Sequence, residues 1–483
     1  MKRLCVLLLS VALLCCLCGC LAVDSTWEPV YSEVSEDALS SFWPEGDSAL
    51  ETTVFTTTSV SEMAGTAGTT VTVPLTSSST GTSDSSAAAS DKEEPTTVKT
   101  TLTTKTIKKP TTTKAPSSSA APQPVSGEFR GAWVSYIELD ALLKANNTPA
   151  KAEAAINELM RKLKSYDLNT VIWIARANSD AYYDSDYYKA AATAAPLLNV
   201  GFDPLSCAVS AAHTNGLEFH VWVNPYRIGR DKAYAAIDEY FAYDGKYYYV
   251  PTSEKAQKLI LGGIRELVNG YDVDGVHFDD YFYPAGCATE NAQATFESGT
   301  PPTGQSRGDW RRTAVSALVR ATYAICHSRE GCVFGISPSH SLSKNRDEYF
   351  APCDDWLSNS GYVDYLCPQV YFGLEHGSSA FGKVVDTWLG YDRSSSVKLY
   401  FGVGLYKAGL KDDQWAGSGK TEWLENDDIL KREVEFLRTR SKVDGMAFYS
   451  YSFFEPAVKL AGDSTYSMDV AKKEVENLLS VLR

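Results

Sequence analysis

The run Asp272-Val-Asp-Gly-Val-His-Phe-Asp-Asp-Tyr-Phe-Tyr-Pro284 passes from apolar strand residues (Val273, Val276 and Phe278) to His277, Asp279, Asp280 and a group of tyrosines. Asp is among the residues strands tolerate least, so the carboxylates mark the end of the strand. Carboxylates and aromatic rings at a strand's C-terminal end are what a carbohydrate-cleaving barrel needs at its mouth. Alternation puts Gly275, His277 and Asp279 on one face and Asp274, Val276, Phe278 and Asp280 on the other. Val276 and Phe278 suit a helix layer, which leaves His277 and Asp279 pointing into the barrel. Asp279 is therefore the first catalytic candidate. Asp280 diverges from it unless the strand has already broken, and a loop salt bridge or cap explains Asp280 as well as catalysis does.

Glycoside hydrolysis generally uses two carboxyls, about 5–5.5 Å apart for retention and roughly 6.5–9.5 Å apart for inversion. One must keep its proton near neutral pH, through burial or a neighbouring like charge. The partner of Asp279 has to come from another strand end. Glu375 after strand six and Glu138 after strand one are the best placed, with Asp180 behind them; each alone reads more readily as structural or substrate-binding. A metal site built from His277, Asp279 and His220 is the competing chemistry. The six histidines show no HxH or HExxH spacing, so no metal and no cofactor are expected. Neutral His277 orienting a carboxylate or a sugar hydroxyl is more economical. Gly417-Ser-Gly-Lys-Thr421 imitates a P-loop but has Gln414 where the first glycine belongs, and Ser341-Leu-Ser-Lys344 lacks its companion motifs.

The elements that must position these residues alternate in type. Strand patterns run over 129–136, 169–176, 217–224, 272–279, 332–338, 363–371, 398–404 and 445–452. Helical patterns lie between most of them, at 151–163, 204–213, 254–268, 310–327 and 429–438, with a last one at 470–482. Eight strands in about 355 residues predict an α/β fold, a (β/α)8 TIM barrel with enlarged loops. A doubly wound sheet would need a Gly-rich phosphate turn after strand one, and none is there. The predicted C-terminal strand ends gather polar residues: Arg176 and Asp180 from strand two; Asn224, Tyr226 and Arg227 from strand three; His277 and Tyr281 from strand four; Gln369 and Tyr371 from strand six; Lys407 from strand seven. With Trp133 of strand one, these are the expected substrate-binding residues.

Ahead of the barrel, Met1-Lys2-Arg3 and an apolar run to Leu17 read as a secretory signal, too short for a comfortable membrane span. Leu17-Cys18-Gly19-Cys20 has the form of a lipobox, with Cys20 the lipidated residue; an ordinary signal peptide or an uncleaved anchor is the alternative. The stretch that follows is dominated by Ser, Thr, Ala and Pro and cannot bury enough apolar surface to fold, so a disordered stalk is expected. A flexible chain of about a hundred residues has a span of roughly 50–60 Å. The expected organisation is a signal segment (1–20), a linker (21–127) and the barrel (128–483), anchored on the outer face of a membrane through Cys20 or else secreted. A net charge of -15, from 60 acidic and 45 basic side chains, argues against nucleic acid and against an anionic membrane surface. A monomer is expected. The barrel cysteines, Cys207, Cys287, Cys326, Cys332, Cys353 and Cys367, match no zinc spacing and read as mostly buried thiols, with a Cys326–Cys332 bridge left open.

The motifs from about Phe129 to Phe454 resemble the glycosyl-hydrolase-like family ten, a group of exported, often lipid-anchored TIM-barrel proteins. They include Arg130-Gly-Ala-Trp133, Gly201-Phe-Asp-Pro204, Trp222-Val-Asn-Pro-Tyr-Arg227, Asp274-Gly-Val-His-Phe-Asp-Asp-Tyr281, Asp309-Trp-Arg-Arg312, Gly335-Ile-Ser-Pro338, Cys367-Pro-Gln-Val-Tyr371 and Leu405-Tyr-Lys407. The resemblance implies glycoside cleavage, in some relatives of peptidoglycan glycan stripped of its peptides, with Asp279 and Asp280 at the centre. It departs from the usual pattern at Ala175-Arg-Ala-Asn-Ser-Asp-Ala181, where relatives read Val-Arg-Pro-x-Gly-Asp-Ala, and at Ser339-His340, where a Gln commonly follows the proline. Expected, then, is a cell-envelope glycoside hydrolase with a wall polysaccharide as substrate. A non-catalytic wall-binding module is the competing class.

Overall fold

The computed structural model describes residues 127–280 and 282–483. Cys20, the signal segment, the Ser/Thr-rich stretch and Tyr281 lie outside the described residues.

The eight barrel strands are β1 (Phe129–Val134), β2 (Thr170–Arg176), β3 (Glu218–Val223), β4 (Gly275–Phe278), β5 (Val333–Ile336), β6 (Tyr365–Leu366 and Gln369–Val370), β7 (Lys398–Val403) and β8 (Gly445–Phe448). All pair in parallel with their sequence neighbours, and β8 returns to β1, where Phe129 lies opposite Gly445, so the ring is closed. The expected (β/α)8 barrel is the observed fold. β6 is interrupted at Pro368, which has no N–H to give the ladder, but the register with β7 is unchanged across the gap: Leu366 faces Leu399 and Gln369 faces Gly402.

The outer layer comprises α1 (Pro149–Ser165), α2 (Pro204–Thr214), α3 (Glu254–Gly270), α4 (Arg307–Cys326), α5 (Cys353–Ser358), α6 (Phe381–Leu389), α7 (Ile429–Arg438) and α8 (Met468–Leu482). Their starts are written in the sequence. Asp203 accepts from the N–H groups of Leu205 and Ser206 while Pro204 opens α2, which accounts for the Phe-Asp-Pro motif. Ser253 and Ser306 cap α3 and α4 in the same way. The patterns did not announce α5, α6 or the helix Tyr136–Ala145 after β1. α6 carries Gly382, Val384 and Val385, poor helix formers, and is held by burying Phe381, Val384, Val385 and Trp388.

At the N-terminal end of the barrel one device recurs around the ring. Asn169, Asp274, Asp364 and Asp444 each stand just before an even-numbered strand and accept from a backbone N–H near the start of the odd strand beside it: Arg130 at 2.8 Å, Phe219 at 2.7 Å, Phe334 at 2.7 Å and Leu399 at 3.0 Å. Each satisfies a donor that the ladder leaves over.

The interior is filled by rings facing small neighbours. Phe129 stacks on Tyr400 at 4.1 Å, and Tyr365 lies 4.9 Å from Tyr400. Gly275 and Gly335 make room for them: a Cβ at Gly275 would press on the His220 ring, and one at Gly335 would overlap the Tyr365 ring.

Two excursions wall the mouth. After β3 the chain forms a small antiparallel sheet from Arg227–Gly229, Tyr240–Tyr243 and Lys246–Tyr249. Phe296, from the long loop between β4 and α4, stacks on Phe241 of that sheet at 3.7 Å. The same loop is tied down by Glu297, whose buried carboxylate receives Arg311 at 2.6 and 2.8 Å and Arg307 at 3.2 Å. This gives the Asp-Trp-Arg-Arg motif its function: α4 anchors the loop that carries on from Asp279 and Asp280.

Candidate active site

β4 ends at Phe278, so Asp279 and Asp280 leave the alternation that would have sent them to opposite faces. Asp279 Oδ1 accepts from Gln369 Nε2 at 2.8 Å and from the Asp280 N–H at 2.9 Å. Gln369 Nε2 also donates to the Ser337 carbonyl at 3.0 Å, which fixes the amide's orientation and aims its second hydrogen at Asp279. The two carboxyl groups interact directly. Burial, then the charge of Asp279, pushes Asp280 well above the usual carboxylate range. Burial also raises Asp279, while hydrogen bonds from Asp280 and Gln369 oppose the rise. Two buried carboxyls in contact disfavour a second charge, and Asp280 is the one held further above the usual carboxylate range. Asp280 Oδ1 is enclosed and unpartnered.

Beneath Asp279 stands His277, inward-facing as alternation predicts and fully buried. Trp133 Nε1–H donates to its Nε2 at 3.2 Å, so that nitrogen is the unprotonated one. Its proton therefore sits on Nδ1 and reaches the Tyr365 hydroxyl at 2.9 Å, which in turn donates to His220 Nδ1 at 2.9 Å. Burial holds His277 well below the usual imidazole range and pushes His220 down to about 4. Both rings are neutral. With both nitrogens of His277 engaged, it is a pillar under the carboxyl pair, and His220 lies in the layer below rather than beside Asp279. Among the described residues no group of three or more His, Cys, Asp or Glu is arranged to hold a metal ion.

Above the pillar is an aromatic wall. Trp133 meets Tyr371 and Tyr449 edge-on at 6.5 and 6.1 Å, Tyr371 stacks on Tyr449 at 5.6 Å, and Tyr406 closes the corner. Tyr371 and Tyr449 both lie within the field of Asp279.

Arg227 stands across the mouth with its side chain near the Tyr136 ring, 5.8 Å from the ring centre. Its charge favours ionisation of Asp279 and of Asp180 alike. Arg176 lies over the Tyr188 ring at 4.2 Å and acts on Asp180 as well. Asp180 Oδ1 is enclosed and has no hydrogen-bond partner. The structure thus brings Asp279, Asp280, Gln369, Trp133, Tyr371, Arg227, Arg176 and Asp180 to the barrel's C-terminal end.

Other expectations are corrected. Glu138 is not an available partner: its carboxylate accepts from the Ser135 N–H (2.8 Å) and hydroxyl (2.9 Å), the Ser450 hydroxyl (2.5 Å), and the Ser452 N–H (3.2 Å) and hydroxyl. It clamps the helix after β1 to the end of β8. Glu375 is exposed, and the buried acid on that side is Glu422, which receives the Glu375 N–H at 2.7 Å. Asn224 braces β3 to β2 by accepting from Trp222 Nε1 at 2.7 Å and donating to the Ala177 carbonyl at 3.3 Å. Tyr226 is buried with its hydroxyl on the Pro251 carbonyl, and Lys407 forms a buried ion pair with Asp413 at 2.5 Å. None of these three presents a free group to a ligand. Two residues of the mouth were missed, Tyr449 and Tyr136, although the strand-end rule that found the others points to both. All six described cysteines are free; Cys326 and Cys332 are neighbours that share a hydrogen bond as thiols.

The model of the family described as "Glycosyl hydrolase-like 10" matches residues 128–417, more than half of the chain. The chain belongs to that family. It is a glycoside hydrolase. Curated relatives are glycosyl hydrolase YngK of Bacillus subtilis, 29% identical over 64% of this chain and 67% of that protein, and glycosyl hydrolase DigH of Escherichia coli K12, 24% identical over 68% and 84%. Among solved structures, the glycoside hydrolase domain of PgaB (BpsB) from Bordetella bronchiseptica is similar with a TM-score of 0.45 at 13% identity, covering 70% of this chain and 99% of that one. The spore cortex-lytic enzyme SleL of Bacillus cereus has a TM-score of 0.40 at 10% identity, covering 72% and 74%. The family match spans β1 to β7. β8, which closes the barrel and supplies Tyr449, lies beyond it.

Proposed function

We propose that this glycoside hydrolase cuts the glycan strands of peptidoglycan after their peptides have been removed, from a lipid anchor at Cys20 on the outer face of the membrane, with Asp279 as its catalytic carboxylate. The observation that carries the chemistry is the buried Asp279–Asp280 pair, with Asp279 aimed by Gln369 and walled by Trp133, Tyr371 and Tyr449. Rings stack on the apolar faces of sugars, and a fixed carboxylate beneath them stabilises or captures an oxocarbenium-like centre. The resemblance to family members that act on peptide-free wall glycan supports this substrate, and the lipobox with a Ser/Thr-rich stretch long enough to carry the barrel out into the wall is in keeping with it.

The test is digestion of peptide-free glycan strands with the wild-type protein beside Asp279→Asn. Release of reducing ends is expected from the wild type, with turnover in the variant lower by about a thousandfold, a barrier change of ~4 kcal/mol, and with glycan binding retained. If neither protein releases sugar and both bind, the domain is a wall-binding module. Activity abolished by a chelator and restored by zinc points instead to metal-assisted hydrolysis.

A further inference from the structure

The proposed function names one catalytic carboxylate, and hydrolysis with an ordinary sugar as leaving group needs an acid to protonate the departing oxygen. Of the acids around the mouth, Glu138 spends its oxygens on Ser135, Ser450 and Ser452. Asp140 Oδ1 is taken by the hydroxyls of Tyr182 at 3.1 Å and Thr193 at 2.5 Å. Glu375 is exposed. Asp280 also keeps an enclosed, unpartnered oxygen, but it is engaged directly with Asp279 as half of that pair. Asp180 stands apart from the pair and differs from the other three. It is held at the C-terminal side of β2 in a short pairing of Asp180–Ala181 with Lys189–Ala190, and the next residue but one, Tyr182, returns its N–H to the Ala175 carbonyl at 3.0 Å. On this pinned backbone its Oδ1 is enclosed without a hydrogen-bond partner, and Arg227 links it electrostatically to Asp279.

We propose that Asp180 is the second catalytic carboxyl, the acid that gives its proton to the leaving glycosidic oxygen. The proposal rests on the reading of Asp279 above. The C1–O bond breaks with its electron pair staying on the oxygen that takes Asp180's proton. Water then adds its oxygen to C1 and gives up one proton, which restores the protonation of the two carboxyls. One water is consumed and two hydroxyl-ended sugars are formed. Burial pushes Asp180 up to about 6, helped by the charge of Asp140 and opposed by the Asn178 N–H, Arg227 and Arg176. A carboxyl in that range keeps its proton in mildly acidic solution and exchanges it readily near neutrality.

The experiment uses a series of aryl glycosides of the sugar that the wild type releases or hydrolyses, from phenyl to 2,4-dinitrophenyl. An acid matters for a poor leaving group and hardly at all for a good one. Asp180→Asn is expected to hydrolyse the phenyl glycoside at least ~100-fold more slowly and the dinitrophenyl glycoside within ~10-fold of wild type. The alkaline limb of the wild-type pH–kcat profile is expected to disappear in the variant. Asp279→Asn should lose both substrates together. A uniform loss across the series in Asp180→Asn, or a loss confined to KM with the alkaline limb intact, overturns the assignment. Asp180→Ser, with a smaller side chain and the same expected leaving-group dependence, decides the matter should the Asn variant fold poorly. Aryl glycosides cleaved while glycan strands stay intact would sink the wall-glycan reading and leave Asp180 judged on its own.

Discussion

The two ends of this barrel carry the same side chain to opposite purposes. At the N-terminal end Asp274, Asp364 and Asp444 stand before β4, β6 and β8, each accepting a backbone N–H from the strand alongside. At the C-terminal end Asp180 and Asp280 each have an enclosed oxygen that accepts nothing. A satisfied carboxylate contributes to stability; an orphaned one costs stability and keeps its reactivity. Position at a strand end therefore does not mark an acid as catalytic.

Glu138 is the sharpest challenge to that contrast, because it sits at the reactive end and is satisfied like the acids at the other. Glu138→Ala should lower unfolding stability by about 3 kcal/mol or more, because several buried N–H and hydroxyl donors lose their acceptor at about 1–3 kcal/mol each, measured by denaturant titration. A loss under about 1 kcal/mol would show that the clamp does not bind the two elements. Next, Asp364→Ala at the N-terminal end should cost about 1–3 kcal/mol by leaving the Phe334 N–H unpaired. Its kcat should stay unchanged once the assay is run below the unfolding transition.

The smallest effect has the opposite sign. Burial pushes the Asp180 carboxyl up to about 6, above its ordinary value of 3.8. Between those values the folded state binds the extra proton, so this residue's contribution to stability falls as pH rises through the window. Asp180→Asn should accordingly match the wild type near pH 4 and become more stable by on the order of 1–2 kcal/mol above pH 6.5. Equal stability at both ends of the window would mean that the enclosed Asp180 Oδ1 finds a partner in solution and does not belong with the orphans.

Strand order and the inward place of His277 were legible because alternation and β-branched runs are local signals. The coupling of Asp279 to Asp280 was not, since it depends on β4 stopping at Phe278. The satisfaction of Glu138 could have been read: Ser135-Tyr-Ile-Glu138 has the spacing of a capping box, in which the glutamate turns back to its own N-cap. The repeated apolar-Asx pairs Leu168-Asn169, Val273-Asp274, Val363-Asp364 and Val443-Asp444 were likewise visible as a period once the strands were counted. The standing of Asp180 was not legible in any local pattern. It is set by enclosure and by two arginines, and the loop that carries it departs from the family's usual sequence.

Gly335 has no functional group, yet the orientation of the functional groups hangs on it. Any side chain there would evict the Tyr365 ring. With that ring would go the hydroxyl that holds the proton of His277, and with His277 the support of Trp133. An alanine at this position is a test of how far a mouth can be detuned from below, by a methyl group that never meets a sugar.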